Sequence, residues 1–334
     1  MQHLPRRSFL QRAAATGLGL AAPQLASAQE RFPSKPLALV VPYPAGGASD
    51  VAARIFGVSI AQSLGQQVVV ENYGGGTGVI GVNKLLSAPA DGYTFFQGSA
   101  NEVILSPMLN PAARFKSRDF VLAAPTGETA LVLLVKQDLP ARTLDELLQY
   151  AAARADNPLT YASVGVDSLY HLMGDALALQ TGVKLLHVPY KGGAPALQDV
   201  AGGQVDFAIL PYQASFDGMQ KQGRLRILTS FSRELPATLA HIPLISASKQ
   251  VPDFVYTIPG GYYVRRGTPP ARVQALRQAV NEALAKPEIR AKLELEGRNV
   301  AQPITDQAQA DRMFEQQLDR MVRLVKTVGR PTNA

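Results

Sequence analysis

Strand-length apolar runs alternate with helical patterns along the first hundred residues, and this order constrains the fold more than any other feature. Leu37–Val41 is a continuous apolar run that ends in a loop rich in proline and glycine. Such runs are typical of strands covered on both faces, as in parallel sheets. Ser49 is the predicted N-cap of a helix that ends at Gly65. Strands predicted at 68–70 and 93–96, with a helix at 79–86 between them, complete a parallel α/β sheet.

The middle of the chain repeats this order. Thr143 and Glu146 form a capping-box pattern at the start of a predicted helix. A second helix is predicted at 168–180, and a third from about Pro195. The strands predicted between these helices form a second sheet, and they lie at 131–135, 159–162, 185–188, 205–210 and 225–230.

The C-terminal third has a different pattern, with one predicted strand at 262–264 followed by helices only. Thr268 is the predicted cap of the first helix, and further helices follow at 287–295 and 306–328. Because one strand cannot form a sheet, we predict that this third packs on the first domain. A length of 334 residues suits two domains. We therefore predict two α/β lobes around a cleft with a two-segment hinge, lobe 1 from 29–127 and 230–334 and lobe 2 from 128–229.

The first 28 residues read as a secretory signal. Arg6 and Arg7 precede a weakly apolar run, and Ala26-Ser27-Ala28 offers the small residues that a signal peptidase needs. The arginine pair indicates the twin-arginine route, and an ordinary helix start with a chance arginine pair is the alternative. The apolar run is too short for a permanent membrane anchor. We expect an exported, periplasmic protein that begins near Gln29.

Composition excludes several classes of function. The formal net charge is +7, and three arginines of the predicted signal account for part of it. No run of Lys and Arg follows, so no nucleic-acid partner is expected, and a monomer is predicted. The chain has no cysteine, which excludes disulfides, thiolate metal sites and lipoprotein anchoring. Its few histidines are not spaced as a metal pair, so we expect neither a metal nor another cofactor.

Three strand-to-helix loops are the candidate binding site. They are the first loop, Tyr43–Asp50, the second loop, Gly98–Asn101, and the third loop, Ser163–Ser168. Open α/β sheets bind ligands at such loops, beyond the carboxyl ends of the strands. Glycine allows backbone N–H groups to approach an oxyanion, and a helix N-terminus adds partial positive charge. The alternative is that these glycines only make tight turns.

One segment suggests an enzyme. Gly76–Gly81 matches the G-x-G-x-x-G dinucleotide pattern between a strand and a helix, with Glu102 some distance on. A nicotinamide-dependent oxidoreductase is therefore the rival hypothesis. Against it, the pattern follows the second strand, Glu102 lies beyond its own strand, and no catalytic constellation accompanies it. We predict no catalytic residues.

A series of short motifs occurs in order along the chain. The most specific are the first loop and His187-Val-Pro-Tyr-Lys-Gly-Gly-Ala-Pro195. Shorter ones are Val70-Glu-Asn72, Asp91-Gly-Tyr-Thr94, Tyr161-Ala-Ser163, Gly202-Gly-Gln-Val-Asp206 and Gly267-Thr-Pro269. With this series the chain resembles one known family, the extracytoplasmic receptors of tripartite tricarboxylate transporters, or Bug-type proteins. The resemblance implies a type II periplasmic-binding-protein fold, a carboxylate ligand and membrane partner subunits. A sensor subunit for a signalling partner would use the same fold.

The resemblance also implies a set of ligand contacts, held largely by loop backbone and water. Carried over by motif and loop, they are Tyr43, Gly46, Gly47, Ser49, Asp50, Ser99, Asn101, Ser163, Gly165, Ser168 and His171.

The ligand class can be narrowed by charge. The strand end at Ile209-Leu210-Pro211 has no acidic side chain that could pair with an ammonium group. A buried ammonium without a paired anion is costly. Apolar and aromatic surface is available at Val164, Val166, Leu210 and Tyr262-Tyr263. We therefore expect a carboxylate that lacks an amine.

Overall fold

A computed structural model describes residues 31–332, so the predicted signal segment lies outside the described residues. Ten strands of this range form one sheet. The strands are β1 (Leu37–Val41), β2 (Val68–Asn72), β3 (Thr94–Ser99), β4 (Phe120–Lys136), β5 (Leu159–Ser163), β6 (Leu185–Pro189), β7 (Phe207–Pro211), β8 (Leu225–Ser230), β9 (Thr257–Arg265) and β10 (Arg298–Val300).

The helices alternate with these strands through most of the chain. They are α1 (Ala48–Leu64), α2 (Val79–Ser87), α3 (Ser106–Leu109), α4 (Leu144–Ala152), α5 (Leu169–Thr181), α6 (Gly193–Ala201), α7 (Ser215–Lys221), α8 (Pro270–Ala285), α9 (Pro287–Leu295) and α10 (Gln307–Thr327). A π-helical turn, Asn101–Leu105, leads into α3. None of the described helices is long and apolar enough to cross a membrane.

The sheet has two halves that share β4. In the first half, β1 lies between β2 and β3 and is parallel to both. β9 lies between β3 and the part of β4 that ends at Ala130, and it is antiparallel to both. In the second half, β5 lies parallel between β6 and β7, and β4 from Leu131 onward pairs with β7 and β8. The predicted parallel βαβ units are present in both halves.

β4 is much longer than the five residues predicted. Its 17 residues include the small and polar stretch around Gly127, which no apolar pattern identifies as a strand. This stretch is a strand because β9 pairs on one side and β10 on the other. Both partners lie far away in sequence, so the pairing has no local signal.

The C-terminal third packs on the first half of the sheet. α8 lies against α1, and β9 inserts between β3 and β4. Phe56 of α1 contacts Tyr262 of β9 edge to face, with ring centroids 5.5 Å apart. α10 also reaches α5, and so contacts both halves.

Two predicted helix caps are wrong. The N-cap of α1 is Gly47 in an extended conformation (φ −84°, ψ 166°), so Ser49 lies inside the first turn. Thr268 Oγ1 donates to the carbonyl of Arg265, and Pro269 takes the cap position of α8. Thr143 does cap α4, because its side chain accepts the Glu146 N–H. Glycine and proline take the other two cap positions, where neither offers a side-chain acceptor.

Candidate functional site

A small buried cavity lies where the two halves of the sheet meet. It has a volume of about 40 Å³, and a second cavity of about 30 Å³ adjoins it. Five residues line both cavities, namely Tyr43, Ala48, Ser49, Tyr170 and Pro211. Polar side chains of the first half line the larger cavity, among them Gln97, Glu102 and Arg298, whereas Val164 and Leu210 add apolar surface to the smaller one.

Some residues of the first loop line the cavities, and others form contacts that hold the loop in place. Tyr43, Gly47 and Ser49 line the cavities. Asp50 instead accepts the Gly46 N–H at 2.9 Å and pairs with Arg54, whose Nη2 lies 2.9 Å away. Burial alone would raise the pKa of Asp50, but hydrogen bonds from Arg54 and Gly46 outweigh it and lower the pKa. Gly46 therefore directs its N–H to Asp50, which holds the loop in place.

The second loop is built around the buried carboxylate of Glu102, which is 1% exposed. Its Oε2 accepts from the N–H and the hydroxyl of Ser99, at 2.7 and 2.9 Å. Its Oε1 accepts from Asn101 Nδ2 at 3.0 Å and from the hydroxyl of Tyr43. Burial raises the pKa of Glu102 although all these donors act to lower it. Ser99 and Glu102 line the larger cavity, and Asn101 lies behind them.

The side chains of the third loop that are predicted ligand contacts form hydrogen bonds within the protein. Ser163 Oγ lies 2.6 Å from His187 Nε2, and Ser168 caps α5 by accepting the His171 N–H. His171 Nδ1 accepts the Asp167 N–H at 2.9 Å. None of these side chains lines either cavity. Instead, Val164 and Tyr170 provide the surface that this region presents to the site.

Three hydrogen bonds join the halves around the cavities. Asn101 Oδ1 accepts the Leu169 N–H at 2.8 Å, at the start of α5. On one side Thr77 Oγ1 donates to the carbonyl of Val166 at 2.9 Å. On another, Gln213 Nε2 donates to the carbonyl of Gly46 at 3.1 Å. Gly165 lies so close to Thr77 that a Cβ there would be 2.7 Å from its hydroxyl. The halves are therefore in contact, and the site is enclosed.

Several lining residues are absent from the predicted contacts, namely Gln97, Glu102, Thr126, Thr129, Tyr170 and Arg298. The sequence pattern marks Glu102 only as a candidate ribose ligand. Tyr170 lies two residues after the predicted cap Ser168, so the start of that helix is the signal for it. Arg298 has no local signal, because its position depends on the pairing of β10 with β4.

Within residues 31–332, no group of three His, Asp or Glu side chains is arranged to hold a metal ion. The acidic and histidine side chains near the cavities are instead engaged by neighbouring hydrogen-bond donors, as described for Asp50, Glu102 and His171.

Comparison with known proteins identifies the family. Residues 52–330 match the family described as tripartite tricarboxylate transporter family receptor. The chain belongs to this receptor family. The resemblance drawn from the motifs is thereby confirmed. BugT of Bordetella pertussis, one of its relatives, is 32% identical over 268 residues, which cover 80% of each chain.

Solved structures of similar proteins share the fold of this receptor. Rpa4515 of R. palustris, solved with adipate, is 27% identical with a TM-score of 0.82, covering 89% of this chain and 98% of that one. MatC (Rpa3494) from Rhodopseudomonas palustris, solved with bound malate, is 26% identical with a TM-score of 0.80, covering 88% and 100%. The receptor thus has the predicted two-lobed periplasmic-binding-protein fold.

The glycine pattern Gly76–Gly81 has a packing explanation in this receptor, whose family consists of solute-binding proteins. A Cβ at Gly78 would collide with the side chain of Glu102. One at Gly81 would lie 2.8 Å from Pro42 Cα. The glycines therefore bring α2 close to the first and second loops, and the dinucleotide pattern arises from that close approach.

The stacked pair His171 and His187 predicts that the receptor loses stability in mild acid. The two ring centroids are 3.8 Å apart. Burial lowers the pKa of His187 to about 4, and the neighbouring His171 adds to this. Burial also lowers the pKa of His171. Arg330 acts in the same direction, whereas Asp175 and Asp167 act to raise this pKa. Both imidazoles are more easily protonated in the unfolded chain than in the folded one. Their contribution to the free energy of unfolding is therefore fully present above about pH 6.5 and is lost as the pH falls toward 4.

Thermal unfolding between pH 7.5 and 4.5 measures this loss. In the His187→Gln variant the decline in Tm over that range should be shallower than in the wild type. Equal declines in the two proteins would mean that His187 does not contribute.

Proposed function

We propose that this receptor is exported, binds a small organic carboxylate between its two lobes, and delivers it to membrane subunits of a tripartite tricarboxylate-type transporter. The enclosed cavity between the halves is the observation that carries the proposal. Family membership supports the transporter partner, since the family is named for it. The adipate and malate in the two solved relatives support the ligand class. The predicted signal, 1–28, is the basis for export.

We propose that the two predicted lobes move relative to each other, with 128–229 as the moving lobe. β4 passes from one half to the other between Ala130 and Leu131, and this crossing is one segment of the proposed hinge. The chain returns near Phe231, whose N–H donates to the carbonyl of Leu131. The two crossings therefore lie side by side, as rotation about one axis requires.

Binding acts on the equilibrium between open and closed forms. A ligand in the cavity touches the first loop on one side and Tyr170 and Pro211 on the other. Because these contacts exist together only when the halves meet, the ligand binds the closed form better and shifts the population toward it. The first turn of α1 supplies backbone N–H groups and partial positive charge for a carboxylate. The mechanism involves no covalent chemistry.

We predict that a carboxylate without an amine binds more tightly than an acidic amino acid. The acidic side chains near the cavity are already engaged, Asp50 by Gly46 and Arg54, and Glu102 by four donors. Glu102 has no free acceptor site for an ammonium group, and the charge of Asp50 is already paired with Arg54. Burying an unpaired ammonium is costly.

A thermal-shift screen and calorimetry with adipate, succinate, malate, citrate, benzoate, aspartate and glutamate test this order. A ligand at 100 times its Kd should stabilise the protein by about 2.7 kcal/mol. Tightest binding to aspartate or glutamate would contradict the prediction and indicate that Asp50 or Glu102 pairs with the ammonium. Absence of a shift with every acid would contradict the proposed function itself.

A further inference from the structure

Arg298 is a buried cation in the wall of the larger cavity. It is the first residue of β10, opposite Thr129 of β4, and only 6% of its surface is exposed. Gly260 of β9 lies beside it, where a Cβ would be 3.6 Å from Arg298 Nη1. The glycine therefore leaves the guanidinium facing the cavity that it lines together with Ser49 and Ser99.

The guanidinium has few partners in the protein. Its Nη2 donates one long hydrogen bond, 3.4 Å, to the carbonyl of Ala48, and the buried Nε has no partner. No ion pair joins Arg298 to a carboxylate of residues 31–332, unlike Arg54 and Arg330, which pair with Asp50 and Asp175. Burial lowers its pKa, but an arginine side chain remains protonated in proteins. A buried charge of this kind is costly unless an anion compensates it.

A second positive element lies at the same place. α1 begins at Ala48, and its first turn lines the cavity through Ala48 and Ser49. No side chain caps this helix start, so its first N–H groups remain available. The first turn also holds the carboxylate of Asp50, whose charge is paired with Arg54. A cation beside a helix N-terminus is unfavourable, and one anion between them would satisfy both.

Glu102, on the same cavity, does not supply that anion. Its two oxygens each accept two hydrogen bonds from Ser99, Asn101 and Tyr43. They are thus committed to holding the second loop, and neither oxygen forms an ion pair with Arg298. Glu296 acts on the guanidinium only as a more distant charge. A carboxylate of a ligand would therefore supply the direct ion pair that residues 31–332 do not give Arg298.

We propose that Arg298 pairs with a carboxylate group of the ligand, which the first turn of α1 binds from the other side. The inference rests on the proposed function and adds to it the residue that selects for negative charge. The guanidinium fork matches a carboxylate in two-point geometry. The body of the ligand then extends toward the smaller cavity, where Val164 and Leu210 provide apolar contacts.

The experiment compares adipate with its uncharged diamide, adipamide, by calorimetry on the mature protein. The Arg298→Met variant keeps an unbranched chain in place of the aliphatic stem and removes the guanidinium with its charge. We expect its affinity for adipate to fall about 30-fold or more, as is usual when one partner of a buried charge pair is lost. Affinity for adipamide should change little, so the preference for the charged ligand shrinks by the same factor. Arg298→Lys should retain part of that preference.

Arg320→Met is the matched control, because Arg320 is exposed and pairs with Glu128 at the protein surface. It makes the same change in net charge and should leave both affinities unchanged.

An unaltered preference for adipate in Arg298→Met, or a wild type that binds adipate and adipamide equally, would overturn the role of Arg298. The protein would still be a carboxylate receptor. If none of the acids in the screen binds the wild type, the proposed function falls and this inference with it. Should Arg298→Met not fold, the wild-type comparison and Arg298→Lys decide.

Discussion

Replacing Glu102 by alanine should destabilise the protein by about 3 kcal/mol or more and abolish carboxylate binding. The carboxylate is the acceptor for four donors from Ser99, Asn101 and Tyr43. In the variant Asn101 Nδ2 still donates to the Tyr43 hydroxyl, but the other donors lose their carboxylate acceptor while they stay buried. An unmade buried hydrogen bond costs more than the bond itself contributed. Asn101 also accepts the Leu169 N–H, so its displacement would loosen the contact between the halves.

Glu102→Gln separates hydrogen bonding from charge. The amide keeps the shape and one acceptor oxygen, which can still serve Ser99. We expect a smaller loss of unfolding free energy than in Glu102→Ala, measured by urea denaturation, and retained binding. If both variants are as stable as the wild type, the network around Glu102 does not organise the second loop.

The sequence was sufficient for the βαβ units but not for the connection between them. Each unit has a local signal, as in the apolar run Leu37–Val41 followed by an amphipathic helix. The first part of β4 and all of β10 have no such signal. The stretch around Gly127 is small and polar, and Arg298–Val300 is too short for a period of two to stand out. Their conformation follows from partners more than a hundred residues away.

For the site, sequence located the loops but not the direction of every side chain. Tyr43, Gly47, Ser49 and Ser99 of these loops line the cavities. Ser163 and Ser168 turn inward, because a buried hydroxyl bonds to the nearest available group, here His187 and the start of α5. The charged groups of the cavity could not be predicted from the loops, because Glu102 lies in the π-helical turn and Arg298 lies in β10.

Gly127→Ala should be the most damaging substitution in the hinge region, with a loss of about 3 kcal/mol or more in unfolding free energy. Gly127 has φ 121°, which disfavours any residue with a Cβ. It lies at an irregularity of β4 between β9 and β10. An added Cβ would collide with the carbonyl of Asn299 and lie 2.9 Å from Ala301 N. Both obstacles are backbone atoms, so the clash is relieved only if β10 moves.

Gly203→Ala isolates the conformational part of this effect. Gly203 also has positive φ, 75°, but no atom lies within 4 Å of the added Cβ. It should cost only about 1 kcal/mol. Because Asn299 follows Arg298 directly, movement of β10 would also displace the guanidinium from the cavity. We therefore expect Gly127→Ala to weaken adipate binding under conditions where it is still folded, while Gly203→Ala binds as the wild type does. If urea denaturation shows the same loss in free energy of unfolding for both variants, β10 moves without an energetic cost. Its register would then not fix the position of Arg298.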